Sequence, residues 1–150
     1  MKLKIIASIG FILFVLIVSC QSDEQLEFKR YYSAGSLVYQ THCQNCHGAN
    51  GEGLQALMPP LTDSVFLKAN KARLACFVKN GLKEKIDISK RPFDGQMPPN
   101  DLPHIEIANV LTYITNSFGN KMGTINTDEV DADLGKCEGV GKSESPEVRK

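Results

Sequence analysis

Cys43-Gln44-Asn45-Cys46-His47 is where this chain concentrates its reactive side chains. Two thiols at this spacing lie one turn apart on nearly the same face of a helix. Each is placed to add to one of the two neighbouring vinyl groups of a haem. The imidazole on the next residue then reaches the iron from the same side. A C-x-x-C-H run reads as c-type haem attachment. The expected cofactor is one haem c, covalent through Cys43 and Cys46, with His47 as an iron ligand. Two rival chemistries use paired cysteines. Zinc needs four well-spaced ligands, and no second C-x-x-C or H-x-x-x-H pair occurs here. A thioredoxin-type redox pair needs a βαβ setting, and the pattern shows no strands. His42 projects about 100° from Cys43 on a helix. It and His104 read as exposed histidines.

The elements that must hold this motif read as helices. At 150 residues, 42% hydrophobic and 23% charged, the chain has the composition of a single soluble domain. Its formal net charge is zero, which gives no basic face for nucleic acid. Ser33 is a candidate N-cap, and Leu37, Val38, Tyr39 and Cys43 follow at helical spacing. That helix is expected to stop near Gly48. Gly48, Gly51 and Gly53 make a loop, and Met58-Pro59-Pro60-Leu61 an extended stretch. A short helix follows Asp63. A clearer one runs from Asn70 to Gly81, with Leu74, Phe77 and Val78 on one face and Cys76 turned away. Residues 83–97 have no clean period and read as loop. The last helix starts near Pro103. Ile107, Leu111, Ile114 and Phe118 are its apolar stripe, and Gly119 its end. Residues 120–150 are polar, with the last dozen expected to be disordered. The fold class is therefore all-α.

Lys2 and Lys4 precede an almost wholly apolar run over 5–18. That run is shorter than the roughly 20 residues that span a bilayer and suits a signal peptide. Ile17-Val18-Ser19-Cys20 resembles a bacterial lipobox. The resemblance implies removal of residues 1–19 and lipid on Cys20, a stable membrane anchor. The mature chain then carries a net charge of −2. Residues 20–32 read as a flexible tether. With Cys20, Cys43 and Cys46 assigned, Cys76 and Cys137 remain. An exported chain meets oxidising conditions, so these two are expected to form a disulfide rather than stay free thiols.

Beyond the motif, the sequence resembles the class I (monohaem) c-type cytochromes, of bacterial lipoprotein type. Gly35, Tyr39 and Cys43 match the family's first helix, and Tyr113 the aromatic of its last. The resemblance implies a cytochrome c fold over 33–120, with 121–150 as a partly disordered extension. Pro59, in Pro59-Pro60-Leu61, matches the residue whose carbonyl accepts the axial histidine N–H. Met97, in Gly95-Gln96-Met97-Pro98-Pro99, matches the sixth ligand. Met58 lies too near His47 in the chain for that role, and Met122 lies beyond the last helix. The implied function is electron carriage rather than catalysis, by a monomer with transient redox partners. The donor would be a quinol-oxidising complex or dehydrogenase, and the acceptor a terminal oxidase or reductase. The location would be the periplasmic face of the inner or outer membrane. The alternative is a gas sensor or small catalytic haem domain with a labile sixth ligand.

Overall fold

The computed structural model describes residues 23–83 and 85–137. The predicted signal peptide, the lipid-bearing Cys20 and the disorder of the last dozen residues lie outside that range. Helix α1 spans Asp23–His42. Asp23 and Glu24 sit in its first turn and His42 in its last, each complementing the helix dipole. The helix starts ten residues before Ser33, whose hydroxyl donates to the Arg30 carbonyl from within it (3.3 Å). Residues 23–32 are thus helical rather than a tether. Their ordering comes from distant contacts that no local pattern announces. The Tyr32 ring lies 5.1 Å from Tyr113 and 5.5 Å from Phe28. Tyr31 and Tyr32 hydrogen-bond the hydroxyls of Thr127 and Ser117 at 3.1 and 3.0 Å. Tertiary packing, rather than propensity, supplies most helical stability in proteins.

A one-turn helix, α2 (Gln44–His47), follows directly. Helix α3 (Ser64–Ala69) is capped by Asp63, whose Oδ1 accepts from the Val65 and Phe66 amides at 2.9 and 3.0 Å. A 3-10 turn over Lys71–Arg73 leads into α4 (Leu74–Asn80). The predicted helix from Asn70 is therefore two pieces. Asn70 closes α3 instead, its side-chain amide donating to the Phe66 carbonyl (2.9 Å). Strands β1 (Ile86–Ile88) and β2 (Arg91–Phe93) pair antiparallel, Ile86 with Phe93 and Ile88 with Arg91. This hairpin replaces the loop expected over 83–97. Its turn residues, Ser89 and Lys90, both have positive φ, as tight hairpin turns require. The Ser89 hydroxyl donates to Asp63 Oδ2. That bond, followed by the cap bonds, holds the Asp63 carboxyl below the usual carboxylate range.

Helix α5 (His104–Ile114) buries Ile107, Val110 and Leu111 in the core. It ends four residues earlier than its apolar stripe suggested. Phe118 lies past it, at φ 56°, and folds back onto Tyr39 and Tyr113. Helix α6 (Thr127–Leu134) is an addition to the expected elements, in a stretch read as polar extension. Asn126 caps it, Oδ1 accepting from the Glu129 amide at 2.9 Å. Among the described residues, no helix is long and apolar enough to cross a membrane.

The principal packing is α1 across α5. Gly35 sits at the crossing. A Cβ there would fall onto the Asn109 carbonyl and lie 2.9 Å from Tyr113 Cβ. One turn later Tyr39 is buried against Tyr113 and Phe118, with ring centroids 5.4 and 5.3 Å away. Its hydroxyl donates to the Gly48 carbonyl at 2.7 Å. Gly35→Ala is expected to lower stability by about 1–3 kcal/mol despite alanine's better helix propensity, because the two backbones must part. The urea midpoint of unfolding measures this.

Candidate cofactor site

Helix α1 delivers the motif. After His42 the chain turns at Cys43, whose carbonyl accepts from the Cys46 and His47 amides at 3.1 and 3.0 Å. Cys43 is buried and Cys46 exposed, and neither is in a disulfide. Burial, and then the neighbouring Cys46, push the Cys43 thiol up to about 11. His47 Nδ1 donates to the Pro59 carbonyl at 3.0 Å, which leaves Nε2 as the free ring nitrogen. Burial lowers the His47 pKa, and the Pro59 bond opposes that shift in part. The neutral, metal-binding imidazole is thereby favoured.

The Pro59 carbonyl is brought to His47 by a loop that folds back on itself. The Gly53 amide donates to the His47 carbonyl (2.8 Å) and the Leu61 amide to the Gly51 carbonyl (2.7 Å). Gly53 has φ +69°, and a Cβ on it would lie 2.9 Å from Pro59 O. Asn120, beyond α5, ties the end of this loop down by donating to the Leu61 carbonyl at 2.8 Å.

Met97 comes from the far side of the sequence. Its amide and carbonyl pair with those of Leu82, both at 2.9 Å. The Asn100 amide donates to the Val78 carbonyl (3.1 Å), so the methionine loop satisfies the open end of α4. Gly81 allows this approach, since a Cβ there would lie 2.8 Å from Pro99 N.

These two constructions face a common cleft. Two adjoining hollows share Cys43, His47, Pro59, Leu82, Ile86 and Met97. Cys46 also borders the first, and Leu111 and Ile114 floor the second. The structure thus brings Cys43, Cys46, His47, Pro59 and Met97 together. It sets Cys76 and Cys137 apart from the cleft, joined to each other as a disulfide. Among the described residues, no group of three or more His, Cys, Asp or Glu side chains is arranged to hold a bare metal ion. A mostly apolar cleft with two thiols, one imidazole and one thioether on its border instead fits a haem.

His42 is exposed, as the sequence reading has it, and borders the first hollow. His104 is exposed and contacts Asp131. Met58 borders the same hollow as His42, whereas Met122 is half-buried against the core. Leu57, Leu82, Ile86 and Phe93 are cleft residues that sequence reasoning missed. The alternation Ile86, Ile88 around a Ser-Lys turn was their one signal, and three residues per strand are too few to read a period.

A family model described as Cytochrome c matches residues 32–117. No curated protein matches the chain.

Replacing Gly53 with alanine combines a strained positive φ with a collision at the Pro59 carbonyl. It is expected to cost about 1–3 kcal/mol in urea unfolding of the holoprotein. It is also expected to shift the reduction potential, because the partner of the His47 ring moves.

Proposed function

This chain belongs to the cytochrome c family, and from that premise we propose that it carries single electrons through one haem c. Thioethers at Cys43 and Cys46 would hold the haem, with His47 and Met97 as axial ligands. The observation that carries this reading is the common cleft onto which all four side chains open. When bound, the haem supplies one-electron ferric–ferrous chemistry.

The chain's own residues do the rest. Pro59 fixes the His47 ring and its tautomer, which raises the imidazole's basicity. The paired hydrogen bonds with Leu82 hold the Met97 backbone in place. A thioether ligand favours the ferrous state and so raises the potential. Leu82, Ile86, Phe77 and Leu111 exclude water from the cleft, which limits solvent reorganisation as charge changes. With His47 and Met97 both holding the iron, small ligands would be kept out, which suits a carrier rather than a sensor.

The proposal extends to location. Cytochrome c domains in bacteria are typically exported, and lipid on Cys20 would anchor this one at the periplasmic face of the inner or outer membrane. Its partners would be transient redox proteins: a quinol-oxidising complex or dehydrogenase as donor, a terminal oxidase or reductase as acceptor.

The test is an optical spectrum of the holoprotein, with carbon monoxide added to the reduced form. A Met–iron(III) charge-transfer band without a carbon monoxide shift is expected. Rapid carbon monoxide binding by the unmodified protein would favour sensing or catalysis. Met97→Ala is expected to abolish the band, admit carbon monoxide and lower the potential by on the order of 0.1 V, within the ~0.8 V that axial ligation spans.

A further inference from the structure

The segment after α5 does more than cover the core. Ile125 and Val130 are buried, and Thr112 Oγ1 both donates to the Ile125 carbonyl (2.9 Å) and accepts from its amide (3.0 Å). Asn116 adds four bonds, two donated to the Thr112 and Gly123 carbonyls and two accepted from the Met122 and Gly123 amides. So anchored on α5, the segment carries α6 against α4.

Besides the Thr127–Tyr31 bond to α1 and the Asn120–Leu61 bond, it is attached at three further points. Cys137 is bonded to Cys76 in the middle of α4, across a sequence separation of 61. Glu129 pairs with Lys71 just before α4, at 2.6 Å. Asp131 contacts His104, the first residue of α5. The chain between α4 and α5 contains Met97. One abutment of the Met97 loop is the end of α4, through Val78–Asn100 and Leu82–Met97. Lys79 reinforces it, Nζ reaching Asp101 Oδ1 at 2.8 Å and the Leu102 carbonyl at 3.3 Å. The other abutment is the start of α5. Through residues 127–137 the C-terminal segment therefore clamps both abutments of the Met97 loop, whereas its bond to the loop that supports His47, Asn120 to the Leu61 carbonyl, lies outside that stretch.

We propose that the C-terminal segment is a strap that positions Met97. Cys137, through Cys76, and Asp131, through His104, are its positioning residues. Opening the strap loosens the Met97 side of the cleft and leaves the His47 side intact. The inference rests on Met97 being the sixth ligand only for its spectroscopic consequence; the mechanical coupling stands on the contacts alone.

The test compares the holoprotein with Cys76→Ser/Cys137→Ser and, keeping the disulfide, with Asp131→Ala. In the unmodified protein the Met–iron(III) band is expected to disappear together with far-ultraviolet helicity as urea rises. In the variants the band is expected to vanish at lower urea than helicity does. Carbon monoxide binding to the reduced form is expected to quicken by about tenfold or more where helicity is still native. Amide exchange gives a readout independent of ligation. The Met97 and Asn100 amides are expected to lose about tenfold or more protection relative to the Gly53 amide, which bonds the His47 carbonyl.

Band and helicity shifting together, with Met97, Asn100 and Gly53 losing protection equally, would mean general stabilisation only and overturn the strap. A missing band in the unmodified protein would instead remove Met97 as a ligand. Selective exchange at Met97 and Asn100 would then still support the strap, and uniform exchange would overturn it. Asp131→Ala keeps the test decisive if the double serine variant fails to fold.

Discussion

The contact on which the molecule depends is the approach of two helix backbones at Gly35. Helices normally pack at a spacing set by the side chains between them. Here one side chain is missing at the crossing, and the Asn109 carbonyl occupies its place. That short distance lets Tyr39, Tyr113 and Phe118 close into an aromatic cluster at the same crossing. Tyr39 then reaches the Gly48 carbonyl and sets where the chain leaves the thiol motif. Both the direction of α1 and the exit of the motif thus follow from one absent methyl group.

The cleft is built by main chain more than by side chain. Its walls are apolar, so each backbone donor at its rim needs a partner. On the histidine side these partners lie within the 47–61 loop, through Gly53–His47 and Leu61–Gly51. On the methionine side they join segments far apart in sequence, through Leu82–Met97 and Val78–Asn100. The two sides therefore differ in what holds them. The first is mostly local and closes within its own loop, tied down at Leu61 by Asn120. The second borrows rigidity from α4, and α4 borrows it from the disulfide-tied C-terminal segment. That segment is polar in composition, yet it is ordered because polar side chains on and just after α5 are spent on its backbone groups. Thr112 and Asn116 between them satisfy carbonyls and amides from 122 to 125, which no amphipathic stripe announces.

What the sequence by itself determined is the chemistry and most of its scaffold. Cys43, Cys46 and His47 are adjacent, so their spacing points to haem attachment without any fold. Asp63 and Pro103 mark helix starts because capping and first-turn rules are local. The family resemblance supplied Pro59 and Met97, whose places in the cleft no local rule fixes. Tertiary structure alone decided the rest. Residues 23–32 became helix because Tyr31 and Tyr32 found partners some 85 to 96 residues away. Phe118 left the helix to complete the cluster on Tyr39. The 86–93 hairpin was too short to show a period, and its turn is held by Asp63 from another element. The strap on α4 was legible as a cysteine pair but not as a helix. Its order depends on hydrogen bonds to α5 that form only once the chain is folded. Local rules read spacing, whereas these features are paid for by contacts between segments that the linear chain keeps apart.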